Sequence, residues 1–154
     1  MTRDGPRRLT RGQVLAVAPA KILTAECDST LRCSRFLVDR DSGKRRRIGP
    51  APINNNTYGN GTISDDGRFA ALWRWTRTGP AELSILNLHT GATVARLDNH
   101  TGAGDASSLV WLPNHRLLGI LNERLFIYDP TTGEMAQPDL HIDSLQQLGL
   151  RTPR

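Results

Sequence analysis

The stretch Ala81–Leu97, AELSILNLHTGATVARL, decides the fold of this chain. It has the pattern of one strand over Leu83–Leu88, a tight turn at His89-Thr90-Gly91 and a returning strand over Thr93–Leu97. Glycine reaches positive φ without a steric cost, and Asn or Thr side chains can hydrogen-bond to the backbone of their own turn. The pattern therefore predicts a β-hairpin.

The same unit occurs twice more, as Arg35–Ile48 (RFLVDRDSGKRRRI) and Arg124–Leu140 (RLFIYDPTTGEMAQPDL). In each copy an acidic or amide residue lies four positions before a glycine, and a hydroxyl residue lies directly before that glycine. The glycines are 48 and 42 residues apart, and self-similarity at such a period indicates a repeat architecture. The predicted turn residues are Asp39, Ser42 and Gly43, then Asn87, Thr90 and Gly91, then Asp129, Thr132 and Gly133.

A second marker runs in step with the first and consists of a turn, a basic residue and an apolar strand. Its basic residues are Lys21, Arg68 and Arg116, which are 47 and 48 residues apart. Two markers with nearly the same period predict an all-β fold of three four-stranded antiparallel sheets. We expect Leu83, Ile85, Leu125 and Ile127 in these sheets to be mostly buried.

The domain organisation follows from the same markers. Residues 1–11 form a basic leader, residues 12–140 hold the three repeats, and residues 141–154 form a C-terminal tail. The repeats lie near residues 12–48, 60–98 and 107–140, and the polar segments Gly49–Asn60 and Asp98–Ala106 are predicted to be connecting loops. We expect these two loops to be the main contact surfaces for a partner, because loops on a rigid repeat scaffold carry binding residues.

Groups of four short strands joined by hairpins resemble the blades of β-propellers of the broad WD-repeat-like superfamily. Ser64-Asp65-Asp66-Gly67-Arg68 and Leu112-Pro113-Asn114-His115-Arg116 are similar to the blade-opening turns of bacterial Tol-type propellers. The chain departs from true WD repeats, because it has no Gly-His dipeptide before a blade and no Trp-Asp pair at a strand end. The resemblance covers roughly residues 12–140 and implies a propeller fold without specifying an activity.

The number of blades is the difficulty with this fold. Closed propellers typically have 4–8 blades, and three cannot close a ring. We therefore expect the chain to be a fragment of a larger propeller, to assemble with other chains, or to be an open remnant. Expressed alone, it should self-associate through the outer faces of its first and third blades or be poorly soluble.

Charge and hydropathy restrict the partners. The formal net charge is +5, and residues 1–50 carry twelve Lys and Arg against five Asp and Glu. The run Lys44-Arg45-Arg46-Arg47 is interpreted as a solvated strand edge, because no aromatic residues interleave with it as stacking platforms for nucleic acid. No stretch approaches a membrane span, and no signal peptide is visible.

Cys27 and Cys33 flank a five-residue segment between two predicted strands. Adjacent strand ends lie within disulfide range, and a bridge would place the protein in an oxidising, extracytoplasmic setting. Two free thiols are the alternative. The spacing excludes a CxxC zinc pair.

The remaining reactive side chains show no catalytic pattern. The four histidines, at 89, 100, 115 and 141, lack metal-ligand spacing, and there is no nucleophile elbow, phosphate loop or dinucleotide fingerprint. Trp73, Trp75 and Trp111 are predicted to lie in the core between blades. We predict no cofactor and a non-catalytic module that binds a protein partner or a ligand. The alternative is the propeller portion of a larger hydrolase or other enzyme whose catalytic residues lie outside this chain.

Overall fold

The strands of the chain follow the two repeated markers closely. The computed structural model describes residues 12–51, 61–74, 81–99 and 109–139, and these contain strands and turns but no helix. The strands are β1 Gln13–Val17, β2 Lys21–Cys27, β3 Cys33–Asp39, β4 Arg45–Ala51, β5 Gly61–Ile63, β6 Phe69–Arg74, β7 Ala81–Asn87, β8 Thr93–Asn99, β9 Val110–Trp111, β10 Leu117–Leu121, β11 Arg124–Tyr128 and β12 Met135–Ala136. A helix long and apolar enough to cross a membrane is absent from this part of the chain.

Consecutive strands pair in antiparallel meanders that we call blades: blade 1 is β1–β4, blade 2 is β5–β8 and blade 3 is β9–β12. The prediction of three separate sheets needs correction. Strands β1 and β5 pair in parallel, at Ala16↔Gly61 and Val17↔Thr62, and this pairing joins blades 1 and 2 into one eight-stranded sheet. Gly61 permits the close approach, because a Cβ there would lie 2.6 Å from the Leu15 carbonyl oxygen.

Two apolar layers hold neighbouring blades together. Side chains alternate along a strand, so each blade has a rear face towards the preceding blade and a forward face towards the next. The layer between blades 1 and 2 consists of Leu15, Ala16, Leu23, Ile48, Ile63, Ala70, Leu72, Leu86 and Leu88. The layer between blades 2 and 3 consists of Phe69, Ala71, Trp73, Leu83, Ile85, Trp111, Leu117, Leu121, Phe126 and Tyr128.

The tryptophans of the described residues lie in the second layer. Trp73 is buried, and the ring of Trp111 stacks on Phe69 with centroids 6.4 Å apart. Trp75 lies outside the described residues. The predicted loops begin later than expected, because β4 continues to Ala51 and β8 to Asn99, and the rest of both loops lies outside the described residues.

The four predicted core residues are all mostly buried, but to different degrees. Leu83 and Ile85 are fully buried, whereas Leu125 and Ile127 remain partly exposed. These residues occupy equivalent positions, four and two residues before the turn residues Asn87 and Asp129. The forward face of blade 2 is covered by blade 3, but no described blade covers the forward face of blade 3. Burial at these positions therefore depends on the next blade and not on the residue.

Candidate interaction surface

Six tight turns lie along one edge of the three blades, which we call the turn rim. They are the connections from β1 to β2, β3 to β4, β5 to β6, β7 to β8, β9 to β10 and β11 to β12. Contacts across the blade boundaries fix the turns relative to one another. Arg46 of blade 1 donates from Nη2 to the Leu88 carbonyl oxygen of blade 2 at 2.7 Å, and His115 Nδ1 of blade 3 lies 3.3 Å from Asp66 Oδ2 of blade 2.

The predicted turn residues form the same hydrogen-bond pattern in every blade. In blade 1, Asp39 Oδ1 accepts hydrogen bonds from the Ser42 backbone N–H at 2.9 Å and from its hydroxyl at 2.7 Å. The Gly43 N–H closes the turn onto the Asp39 carbonyl oxygen, and Ser42 Oγ accepts from the Lys44 N–H at 3.2 Å. The glycine has φ 69°, a conformation that other residues adopt only with strain.

Blades 2 and 3 repeat this pattern with different residues. The carbonyl oxygen of the Asn87 side chain accepts from the Thr90 N–H at 3.1 Å, and Thr90 Oγ1 accepts from the Ala92 N–H at 3.2 Å. Asp129 Oδ1 accepts from the Thr132 N–H at 3.4 Å and also from the Thr131 N–H at 2.8 Å, and Thr132 Oγ1 accepts from the Glu134 N–H at 3.3 Å. An oxygen acceptor at the first position is therefore what the turn requires, and a negative charge is dispensable.

The basic residues of the second sequence marker lie beside the Asp/Asn-x-x-Ser/Thr-Gly turns of the first marker at this rim. Lys21 Nζ pairs with Asp39 Oδ2 at 2.9 Å, and Arg116 Nε lies 3.5 Å from Asp129 Oδ2. The basic residue and the acidic turn residue thus belong to one corner of the blade. In blade 2 the register differs by one residue, because Phe69 and not Arg68 lies opposite Asn87.

The length of the first turn in each blade explains that shift. The closing hydrogen bonds run from Ala18 to Lys21, from Leu112 to Arg116 and from Ser64 to Phe69, so they enclose two, three and four residues. The longer turn of blade 2 leaves Arg68 within the turn. There its guanidinium Nε lies 3.8 Å from Asp66 Oδ2.

These contacts stabilise the ionised carboxylates of the rim. The Ser42 backbone N–H and then the Lys21 ammonium group hold the pKa of Asp39 well below its ordinary value. The pKa of Asp129 is lowered by the Thr131 backbone N–H, against a smaller effect of burial. Burial raises the pKa of Asp66, but hydrogen bonds from Ser64 and Arg68 together with nearby positive charge outweigh it.

The basic run of blade 1 is an exposed edge that also contributes to packing. The Arg45 guanidinium lies 4.0 Å above the Phe36 ring and pairs with Glu26 at 3.0 Å. Arg46 binds the carbonyl oxygens of Leu88 and His89 in the neighbouring blade. Both arginines therefore have partners within the protein.

The opposite edge of blade 1 carries the disulfide. Cys27 and Cys33 are directly paired in the β2–β3 ladder and form a covalent bridge around the loop at Asp28–Arg32. Asp28 Oδ1 accepts from the Thr30 hydroxyl at 2.7 Å and from the Arg32 N–H at 2.9 Å, and these bonds lower the pKa of Asp28. Leu31 projects from this loop and is 67% exposed.

The histidines that the structure describes both lie in the turn rim. His89 is an exposed residue of the blade 2 turn, and His115 has φ 65° and contacts Asp66. His100 and His141 fall outside the described residues. Within the described ranges no three His, Cys, Asp or Glu side chains come together as metal ligands would.

The connection between β10 and β11 is a turn of a different kind. Asn122 and Glu123 connect β10 to β11 as a two-residue turn in which both residues have positive φ, the geometry of a type I′ hairpin. The Asn122 side-chain amide reaches the Asp98 carbonyl oxygen of blade 2 at 3.4 Å. An Asn in such a turn is the signal that could have predicted this geometry, although not the contact between blades.

Comparison with known proteins identifies the fold but no family. No protein-family model and no curated protein matches the sequence. One similar solved structure is an acylaminoacyl peptidase in complex with Z-Gly-Gly-Phe-chloromethyl ketone. The match covers 84% of this chain and 25% of the peptidase chain, at 8% sequence identity and a TM-score of 0.57. An uncharacterized protein of Listeria monocytogenes EGD-e matches 85% of this chain with 44% of its own at 15% identity and TM-score 0.53.

A third solved structure is itself a propeller. The β-propeller domain of the Trilobed protease from Pyrococcus furiosus matches 81% of this chain with 41% of its own, at 17% identity and TM-score 0.51. The chain thus spans less than half the length of each of these three structures. The likeness is one of fold alone: the described residues form an all-β structure of propeller-type blades.

Proposed function

We propose that this chain is a non-catalytic propeller module that binds another protein through its turn rim. The observation that carries the proposal is the set of hydrogen bonds by which each Asp/Asn-x-x-Ser/Thr-Gly turn of the rim is closed by its own side chains. A surface whose loops are already fixed loses little conformational entropy on binding. Loops on a rigid scaffold are also where binding residues concentrate.

The rim offers a graded electrostatic surface to such a partner. The blade 1 part presents the exposed side chains of Arg40 and Lys44, and the blade 3 part presents those of Thr131 and Glu134. Complementary charge on a partner would set its orientation and speed its association. Gly49–Asn60 and Asp98–Ala106, of which only the first residues are described, are proposed as further contacts from the opposite edge.

Site-specific photo-crosslinking in cells that produce the chain tests this proposal. A benzophenone amino acid at His89, on the rim, should give an adduct with one defined protein. The same group at Arg96, an exposed position in the middle of β8 and away from both edges, serves as the control. Equal labelling from both positions, or none from His89, would contradict a partner on the rim.

The organisation of the whole protein and its compartment are part of the proposal. Residues 12–140 form the blades, between a basic leader over 1–11 and a tail over 141–154. The turn motifs resemble those of bacterial Tol-type propellers. The Cys27–Cys33 bridge supports an extracytoplasmic location. Thiol labelling of denatured protein, taken from cells under acid quench, should find no free cysteine.

The second candidate function is the propeller portion of a larger peptidase. The matches to an acylaminoacyl peptidase and to a protease propeller domain favour it, although at identities that show fold alone. Hydrolysis of an N-blocked tripeptide amide by the full gene product, abolished by a chloromethyl ketone, would support this candidate. The binding module predicts no such hydrolysis.

A further inference from the structure

Arg35 is a buried charged side chain without a counter-charge. The residue is 8% exposed, and its Nε atom is buried without a hydrogen-bond partner. The ion pairs of arginines in the described part of the chain involve Arg45, Arg68, Arg74 and Arg116, but not Arg35. A buried charge that is left unpaired lowers stability, so such a side chain points to a function that needs the charge.

The side chain of Arg35 belongs to the boundary between blades 1 and 2. Arg35 alternates with Leu37 along β3 and pairs with Ala25 on β2, and both of these residues pack against the apolar layer that joins the two blades. On β4 the partner of Arg35 is Gly49. Apart from its chain neighbours, a Cβ at Gly49 would meet only the Gly91 carbonyl oxygen, at 4.0 Å. The boundary is therefore loosely filled beside Arg35.

The rear face of blade 2 adds a second arginine to this boundary. Arg74 alternates along β6 with Leu72, which belongs to the same apolar layer, and donates from Nη2 to Glu82 Oε2 at 3.1 Å. The Nε atom of Arg74 is also buried without a hydrogen-bond partner. The second oxygen of Glu82 accepts from the Ser84 hydroxyl at 2.7 Å. This carboxylate is thus already engaged within blade 2.

The turn residues place these groups at the same height of the two blades. Arg35 lies four residues before Asp39, the turn residue of blade 1. Ser84 and Glu82 lie three and five residues before Asn87, the equivalent residue of blade 2. The unpaired guanidinium of blade 1 therefore lies level with the polar group of blade 2, on the part of the boundary away from the turn rim.

From these observations we infer that Arg35 and Arg74 form a binding site for a carboxylate group at the boundary between blades 1 and 2. The two arginines contribute two positive charges and Glu82 one negative charge, and a single carboxylate neutralises the remaining +1. The Nε–H and the adjacent Nη–H of an arginine point in parallel, a geometry that matches the two oxygens of a carboxylate. The inference does not depend on a partner at the turn rim.

Acetate is the probe, and the measurement is the Nε–H resonance of Arg35 in a proton–nitrogen correlation spectrum of the full chain. Acetate should shift this resonance with a dissociation constant of about 1–10 mM, at an ionic strength held constant with chloride. Arg35→Lys keeps the charge but removes the Nε–H, and it should weaken binding at least about tenfold when the Arg74 resonance is followed. Arg47→Met, at an exposed position of β4, should leave the affinity unchanged.

A blocked peptide with one glutamate distinguishes the two sources of the carboxylate. A shift of the same resonances by this peptide would assign the group to a protein side chain, and a response to acetate alone would assign it to a small carboxylic acid. Unshifted Nε–H resonances in about 50 mM acetate, or tighter binding of inorganic phosphate than of acetate, would overturn the inference.

Urea unfolding in the absence of carboxylates provides an independent readout. Arg35→Met removes a buried charge that has no ion pair, so it should raise the urea midpoint, whereas Arg47→Met should leave it nearly unchanged. A lower midpoint for Arg35→Met would show that the guanidinium stabilises the free protein, which would contradict an unpaired charge held for a ligand.

Discussion

Gly91 and Gly133 have the same backbone conformation but different neighbouring atoms, so substitutions at the two positions form a matched test of how the blades pack. Both occupy the last position of the repeated turn, and both have φ 78°. A Cβ at Gly133 would have no atom within 4 Å. A Cβ at Gly91 would overlap the carbonyl group of Ile48 on the neighbouring blade and would lie 3.0 Å from its Cγ2 atom.

The two Ala substitutions should therefore differ in cost. At either glycine an L-residue adopts the left-handed region at about 1–2 kcal/mol, partly offset by the reduced entropy of the unfolded chain. Gly133→Ala should thus lower the free energy of unfolding by about 1 kcal/mol. Gly91→Ala also forces β4 and the turn apart, and overpacking of this kind costs about 1–3 kcal/mol more.

The contact between Arg46 and the blade 2 turn increases the difference. Its hydrogen bonds to the Leu88 and His89 carbonyl oxygens, at 2.7 and 3.2 Å, span the same boundary and would lengthen with any shift of the turn. We expect a total loss of about 3 kcal/mol for Gly91→Ala, the sum of the backbone and packing terms.

Equilibrium urea unfolding measures both losses, provided that the slope with denaturant stays constant. All proteins should be compared at one chain concentration, so that any self-association is equal. Equal losses for Gly91→Ala and Gly133→Ala would refute the packing argument and leave only the backbone term. A larger loss for Gly133→Ala would indicate a neighbour on blade 3 beyond the described residues.

Three further predictions concern the disulfide, the boundary arginine and the rim carboxylates. Cys27→Ser removes the bridge to Cys33 and should lower the free energy of unfolding by about 2 kcal/mol, as the chain-entropy model gives for so short a loop; an unchanged urea midpoint would contradict this. Arg46→Met should lower the free energy of unfolding by about 1 kcal/mol, and Arg47→Met by less than about 0.5 kcal/mol, since only Arg46 has hydrogen bonds to blade 2 to lose. Equal effects in urea unfolding would refute a role of Arg46 in holding the blades together. The folded-state pKa of Asp129 is depressed, so its contribution to stability is complete above about pH 5 and is lost as pH falls through the folded pKa. Asp129→Asn should therefore reduce the fall in the free energy of unfolding at acid pH, measured by urea unfolding at successive pH values. An unaltered pH profile would contradict this prediction.

Blade 2 already carries the residue type that Asp129→Asn would introduce. Blade 2 has Asn87 where blades 1 and 3 have aspartates, and its turn keeps the same hydrogen bonds to the backbone. Asn at position 129 should therefore preserve the turn at neutral pH. The ion pair with Arg116 would be lost, but an exposed pair of this kind stabilises little.

The strands and their turns could be predicted from the amino-acid sequence, because both depend on local chemistry. Glycine at positive φ and an oxygen acceptor four residues before it are requirements within a single hairpin. The turn residues around Gly43, Gly91 and Gly133 could therefore be read directly. The sequence left a Cys27–Cys33 bridge and two free thiols as alternatives, and the structure has the bridge.

Only the tertiary structure decided how the blades meet, because those contacts join residues far apart in the chain. The parallel pairing of β1 with β5 and the contact of Arg46 with Leu88 leave no local pattern in the sequence. Ile85 and Ile127 show most clearly how far burial can be predicted from local sequence. Their local sequences predict the same burial, yet Ile85 is fully buried and Ile127 is partly exposed. The difference arises because the neighbouring blade, and not the strand that carries the residue, determines how much of the side chain is covered.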